Sequence, residues 1–200
     1  AERTGAFLRA LRGEAVTAPQ KDYFLGFLCH YAADTVVHPY VQAVTKCCPP
    51  YAGRSGHGRF EAALDTYLHK RDTGRGAVPV DDMCPLLTGV PLAAVTAQLQ
   101  NAIGAVYDTD IPREFLADAF FDNHRIRRLF CCRLPLQKQL LCLVQPFTGG
   151  RGTISCHLTP ARLRGVSRRD TRRGVSLPAI WRDPATGAVR EENLQQVLDA

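Results

Sequence analysis

The sequence predicts an all-α fold: a helical metal-cluster domain with a long irregular Arg- and Gly-rich segment near the C-terminus. Three observations carry that expectation. Apolar residues recur at helical spacing through most of the chain before Gly149, prolines and glycines stand where helices would begin and end, and there is no βαβ alternation, clear strand or internal repeat. The chain of 200 residues, 46% hydrophobic and 22% charged, can bury a sizeable core, so a single domain over 1–200 is expected.

The elements follow in order. AFLRALRG already has helical periodicity, so the chain starts inside a helix. Residues 22–46 form a second helix that must stop before Pro49 and Pro50, because proline lacks the N–H that a helix interior needs. PPYAGRSG is a loop by composition, and Ser55 is the candidate N-cap of HGRFEAALDTYLHKR, which ends near Gly74. Residues 77–90 are irregular. Pro91 then opens LAAVTAQLQNAIGAVYDTD, and Pro112 opens REFLADAFFDNHRIRRLF, each as a first-turn proline with its φ already helical. LPLQKQLLCLVQPF is a further helical run, stopped by the glycines at 149, 150 and 152. Residues 149–188 are rich in Gly, Arg and Pro with little periodicity, and EENLQQVLDA regains it.

Composition excludes some function classes. No run of eighteen or more apolar residues exists, so a transmembrane segment is not expected. The net charge of +6 is uneven: Arg162, Arg164, Arg168, Arg169, Arg172 and Arg173 crowd into ARLRGVSRRDTRRG against Asp170. Such a cluster has the chemistry to meet lipid-headgroup or nucleic-acid phosphates. A solvated loop is preferred, and nucleic acid is not the expected partner, since no aromatic residues interleave and no basic helix face is present. The eight cysteines, at 29, 47, 48, 84, 131, 132, 142 and 156, include no CxxC pair and read as reduced, buried thiols of a cytoplasmic protein. Secretion is the alternative, because the chain begins at Ala1 in mid-helix and a leader would lie upstream.

FLGFLCHYAADTVVHPY carries His30, Asp34 and His38 in steps of four on an otherwise apolar helix. Positions four apart differ by about 40° around a helix and about 6 Å along it, so the three side chains form one stripe roughly 12 Å long. One ion can reach His30 with Asp34, but none can reach both His30 and His38. The next helix repeats the device with His57, Glu61, Asp65 and His69. Two such ladders joined by a short loop can face each other. An i,i+4 acid–histidine pair is ordinarily a surface helix pair worth a few tenths of a kcal/mol. Four of the six histidines fall within forty residues, however, interleaved with Asp34, Glu61 and Asp65. Burying such groups unpaired is costly, and a cation is the economical partner for imidazoles mixed with carboxylates.

FLGFLCHYAADTVVHPY followed by HGRFEAALDTYLHKRD resembles the core of the bacterial zinc-dependent phospholipase C family, in the branch that carries GFxxHxxxDxxxHPY and then HxxxExxxDxxL. The family shares its catalytic fold with the single-strand-specific zinc nucleases. The tail LPAIWRDPATGAVREENLQQVLDA also resembles that branch, in its tryptophan, Asp-Pro-x-Thr-Gly turn and short last helix. The resemblance implies a helical core holding up to three zinc ions. It assigns His38, His57 and Glu61 to one complete site, and His30 and Asp34 to half of a neighbouring one with Asp34 bridging. Asp65 matches a family acid that can support the ligands from behind. The family's remaining ligands come from upstream: the amino-terminal residue, a histidine soon after it, and a further aspartate and histidine. No histidine precedes His30, so the expectation is a chain that lacks its N-terminal part, with a degenerate cluster as the alternative.

The implied activity is that of a phosphoric diester hydrolase in which metal-activated water attacks a phospholipid or another phosphodiester. No GxSxG or supported Cys–His pair offers a protein nucleophile. The alternative is a helical metal-binding protein without turnover, whose ion ties two helices together. The sequence leaves substrate identity, the number of metals and the oligomeric state open.

Overall fold

The computed structural model describes residues 3–53, 55–75, 86–132, 134–147 and 154–200. Its helices are α1 (Thr4–Gly13), α2 (Ala18–Cys47), α3 (Gly56–Thr73), α4 (Gly89–Tyr107), α5 (Arg113–Phe130), α6 (Pro135–Val144), α7 (Arg168–Thr171) and α8 (Leu194–Leu198), with 3-10 turns at Pro49–Tyr51 and Gln145–Phe147. Among the described residues the protein is all-α apart from one small hairpin, β1 (Trp181–Arg182) and β2 (Val189–Arg190), and an isolated parallel bridge between Cys131 and Thr159. Most of the irregular stretch expected over 77–90, Cys84 included, and the glycines at 149, 150 and 152 lie outside the described residues.

Local chemistry explains the helix limits. The second helix begins four residues earlier than expected because Gln20 reaches back and its Oε1 accepts the Thr17 N–H at 2.9 Å, half of a capping box, while Pro19 is tolerated in the first turn. Ser55 precedes α3 as expected but makes no side-chain cap. Instead Gly56 approaches the Tyr51 carbonyl so closely that a Cβ would collide with it. Gly74 ends α3 at φ 72°, its N–H returning to Lys70 O at 2.9 Å.

The chain divides into two compact units. The first comprises the described residues of Ala1–Ala33 and Val80–Arg127. Leu11, Val95, Leu99 and Ala102 form its buried centre, with Phe7, Phe24, Phe27 and Phe120 packed around them. Phe7 meets Phe27 edge-to-face at 5.6 Å, and Tyr23 meets Phe120 likewise at 5.9 Å. Gln98 is wholly buried there, and its amide donates to Leu11 O at 2.9 Å and to Gln20 O at 3.2 Å, joining α4 to α1 and to the start of α2.

The second unit takes Asp34–Pro79 and Arg128–Ala200, again over their described residues. Tyr40, Val41 and Val44 of α2 pack with Phe60, Ala63 and Leu64 of α3, and Leu163, Trp181, Leu194 and Val197 of the tail close the same core. The stretch expected to be an irregular excursion is therefore the third wall of this core. Polar anchors hold it: Tyr40 Oη donates to Pro178 O at 2.9 Å, Tyr51 Oη accepts the Arg164 N–H at 2.6 Å, Thr66 Oγ1 accepts the Ala161 N–H at 2.9 Å, and Trp181 Nε1 donates to Glu192 O at 3.0 Å.

The hairpin was not expected. Its strands are two residues long, too short to show a period of two, and they pair antiparallel with Trp181 opposite Arg190. Asp183 makes the turn: its Oδ1 accepts the N–H of Ala185 at 2.8 Å and of Thr186 at 3.2 Å, and Gly187 supplies φ 74°. These two N–H groups hold the Asp183 carboxyl below its usual range. In the arginine-rich stretch the six guanidinium-bearing residues are exposed as expected, but the backbone is anchored. Leu163 enters the core, and buried Asp170 accepts from Ser167 Oγ at 2.6 Å and pairs with Arg162 at 2.9 Å, which together lower its carboxyl's affinity for a proton.

Seven of the cysteines lie among the described residues. Cys48, Cys131, Cys132 and Cys156 are buried, whereas Cys29, Cys47 and Cys142 are exposed, which corrects the expectation of uniform burial: the last three fall on outward helix faces. Among the described residues no helix is long and apolar enough to cross a membrane.

Candidate metal centre

The second half of α2 and the first two turns of α3 bring three of the expected ligands together. Their apolar faces dictate the arrangement. Tyr40 and Phe60 lie in the shared core with rings 6.4 Å apart, so the neighbouring faces of the two helices, carrying His38 on one and His57 with Glu61 on the other, are turned toward each other at the edge of that core. Pro39, one residue past His38, withholds one N–H from the α2 ladder.

The His38 and His57 rings are 4.8 Å apart and tilted by 51°. Glu61 Oε1 is 2.9 Å from His57 Nε2 and 4.0 Å from His38 Nε2. One ligating atom from each of the three residues fits within 4.8 Å of the others. Two nitrogens and an oxygen bound to one tetrahedral zinc at about 2.0–2.2 Å would stand about 3.3 Å apart. The observed separations bracket that value, so the donor set fits a zinc ion after side-chain movements alone. All three side chains are about one-third to two-fifths exposed, which leaves the group open to solvent on one side.

Gln42, which sequence reasoning did not single out, stands against His38, its side-chain amide 3.1 Å from Nδ1. The signal was available, since Gln42 continues the 30, 34, 38 series by one more step of four. As placed, the Gln42 amide nitrogen donates to Nδ1; turning the amide so that its oxygen accepts the Nδ1–H instead is what frees the Nε2 lone pair for an ion. A second missed residue is His157, whose ring lies flush on α3. A Cβ added to Gly58 would come within 2.5 Å of its Cε1, so glycine beside His57 is what lets that ring sit there. His157 also stacks on Phe130 at 6.0 Å. No local motif announces it, because the contact joins residues a hundred positions apart.

The other candidates lie elsewhere. Asp34 is exposed one turn before His38, Asp65 is exposed one turn after Glu61, and His30 is exposed on the part of α2 that belongs to the first unit. Among the described residues, none of these joins a group of three potential ligands. His69 ends its helix beside Thr73, whose Oγ1 is 3.3 Å from Nε2.

Comparison with known proteins agrees with this chemistry. The family model described as zinc dependent phospholipase C matches residues 7–127, more than half of the chain, and spans His30 through Glu61 and Asp65. No curated protein and no solved structure matches the chain. Two helices that gather two imidazoles and a carboxylate, inside a match of that length, lead to one conclusion: the chain belongs to the zinc-dependent phospholipase C family.

Proposed function

We propose that the protein hydrolyses a phosphodiester, with a phospholipid as the substrate class, at a zinc site built from His38, His57 and Glu61. The observation that carries this reading is the convergence of the three donors at the open edge of the α2–α3 core. His38 and His57 supply neutral imidazole nitrogens, and Glu61 supplies the one negative charge that a divalent ion needs for partial neutralisation. Gln42 holds the His38 ring through Nδ1. Zinc held there supplies a Lewis acid for phosphate oxygens and lowers the pKa of water, which is the chemistry that lets water replace a protein nucleophile. Exposure of the three side chains leaves room for a phosphate to approach. Asp34 lies one turn before His38 on α2.

The test pairs zinc content with turnover. The purified protein should retain about one zinc or more per chain and release a chromogenic alcohol from a phosphodiester in a zinc-dependent way. Both properties should disappear in His38→Ala, with helix content unchanged. Retained zinc without hydrolysis of either the chromogenic diester or phosphatidylcholine would favour the second reading, a metal that only ties α2 to α3. The approach of His38 on α2 to Glu61 on α3, at 4.0 Å, is the feature that reading would rest on.

A further inference from the structure

The segment that follows α5 is built inside out. On α6 and the turn after it, Leu136, Leu140, Leu143, Val144 and Phe147 fall within an arc of about 100° of one helix face. That face is turned to solvent: Leu143 is 69% exposed, Leu136 62%, and Phe147 88%. The polar side chains of the same helix and of the turn after it do the inward work. Gln137 Nε2 donates to Leu129 O at 3.1 Å, Lys138 Nζ donates to Pro160 O at 2.8 Å, and Gln145 Oε1 accepts the Ser155 N–H at 2.7 Å. A surface helix of a water-soluble protein ordinarily shows the opposite arrangement, and a continuous exposed apolar stripe marks a contact surface.

Charge identifies the contact. Between Asp122 and Asp170 the sequence contains no Asp or Glu in 47 residues, but ten Lys and Arg. Lys138, on the inward side of α6, ties the helix to Pro160, and the exposed arginines at 162, 164, 168 and 169 follow within nine residues in the chain. An apolar face within an acid-free, strongly basic region fits one environment well, where hydrocarbon lies beneath a layer of negative charge. Nucleic acid would satisfy the arginines but leave the leucines and Phe147 in water.

We propose that the exposed face of α6 and Phe147 docks on an anionic phospholipid surface, with the neighbouring arginines over the headgroups. The proposal deepens the phospholipid reading by adding a contact with lipid that needs no zinc, so the two can fail separately. The test is sedimentation of the whole protein, in EDTA to prevent turnover, with sucrose-loaded vesicles of phosphatidylcholine alone or with about 30% phosphatidylserine. Binding should be at least about tenfold tighter with phosphatidylserine and should weaken as salt is raised. Leu140→Asp with Leu143→Asp should weaken it at least about tenfold, and Arg168→Glu with Arg169→Glu should remove the preference for phosphatidylserine. These positions are exposed, so circular dichroism and zinc retention should match the parent protein. Unchanged binding in the leucine variant, or no binding to phosphatidylserine vesicles at low salt, overturns the proposal. So does a dimer that the leucine variant converts to monomer while vesicles are ignored, an outcome that would give the face to a second copy of the chain.

Discussion

His30 and His38 occupy the same helix with the same acid between them at the same spacing, yet they have different surroundings. His38 meets the His57 ring at 4.8 Å and Glu61 at 4.0 Å, whereas His30 is exposed and joins no group of three potential ligands among the described residues. The difference teaches that periodicity supplies a stripe, and a packed second helix turns a stripe into a site. In the second unit that helix is α3, held by a core that the tail closes.

The largest effect should come from breaking that closure. Trp181 is buried edge-on against Tyr40 at 5.5 Å, and Trp181→Ala should cost about 3–5 kcal/mol in denaturant unfolding and weaken zinc retention with it. Loss of stability with undiminished zinc affinity would show that the site does not depend on the tail. Next, His38→Ala or Glu61→Ala should weaken zinc affinity by about a hundredfold or more, while His30→Ala changes it by less than about threefold; isothermal titration against a competing chelator would read both. Equal losses at His30 and His38 would erase the contrast and point to a second ion on the first rungs. Gln42→Leu keeps all three donors but removes the partner of His38 Nδ1, and should weaken zinc by about tenfold in the same titration.

The smallest effect concerns acid. Asp183 and Asp170 both have proton affinities lowered in the folded protein, Asp183 by the N–H groups of Ala185 and Thr186 and Asp170 by Ser167 and Arg162. Because the folded values lie below the unfolded ones, the stability they contribute is present above about pH 4 and fades as pH falls through the folded values. Trp181 fluorescence should therefore report loosening of the tail at acid pH, and Asp183→Asn should flatten that dependence. An unaltered acid transition in the variant would remove Asp183 from the linkage.

The long helices were legible because each combines apolar periodicity with a stop signal, such as Pro49-Pro50 after α2 or Gly74 after α3. The ladder residues were legible for the same reason, since steps of four are a local property of one helix. Gln42 could have been read by extending the series one more turn. His157 could not, because its place on Gly58 depends on where a distant loop returns. The hairpin was hidden by strands of two residues, although the Asp-Pro-x-Thr-Gly turn that makes it stood in plain view.

The sequence alone determined the helical class, the stripes of histidine and acid, and the basic, acid-free stretch from Asn123 to Arg169, because these follow from composition and from a fixed rotation per residue. Tertiary structure decided which rungs converge, that the arginine-rich tail is a wall of the core, and that α6 turns its leucines outward. Those outcomes depend on burial shared among segments far apart in the chain, which no local pattern encodes.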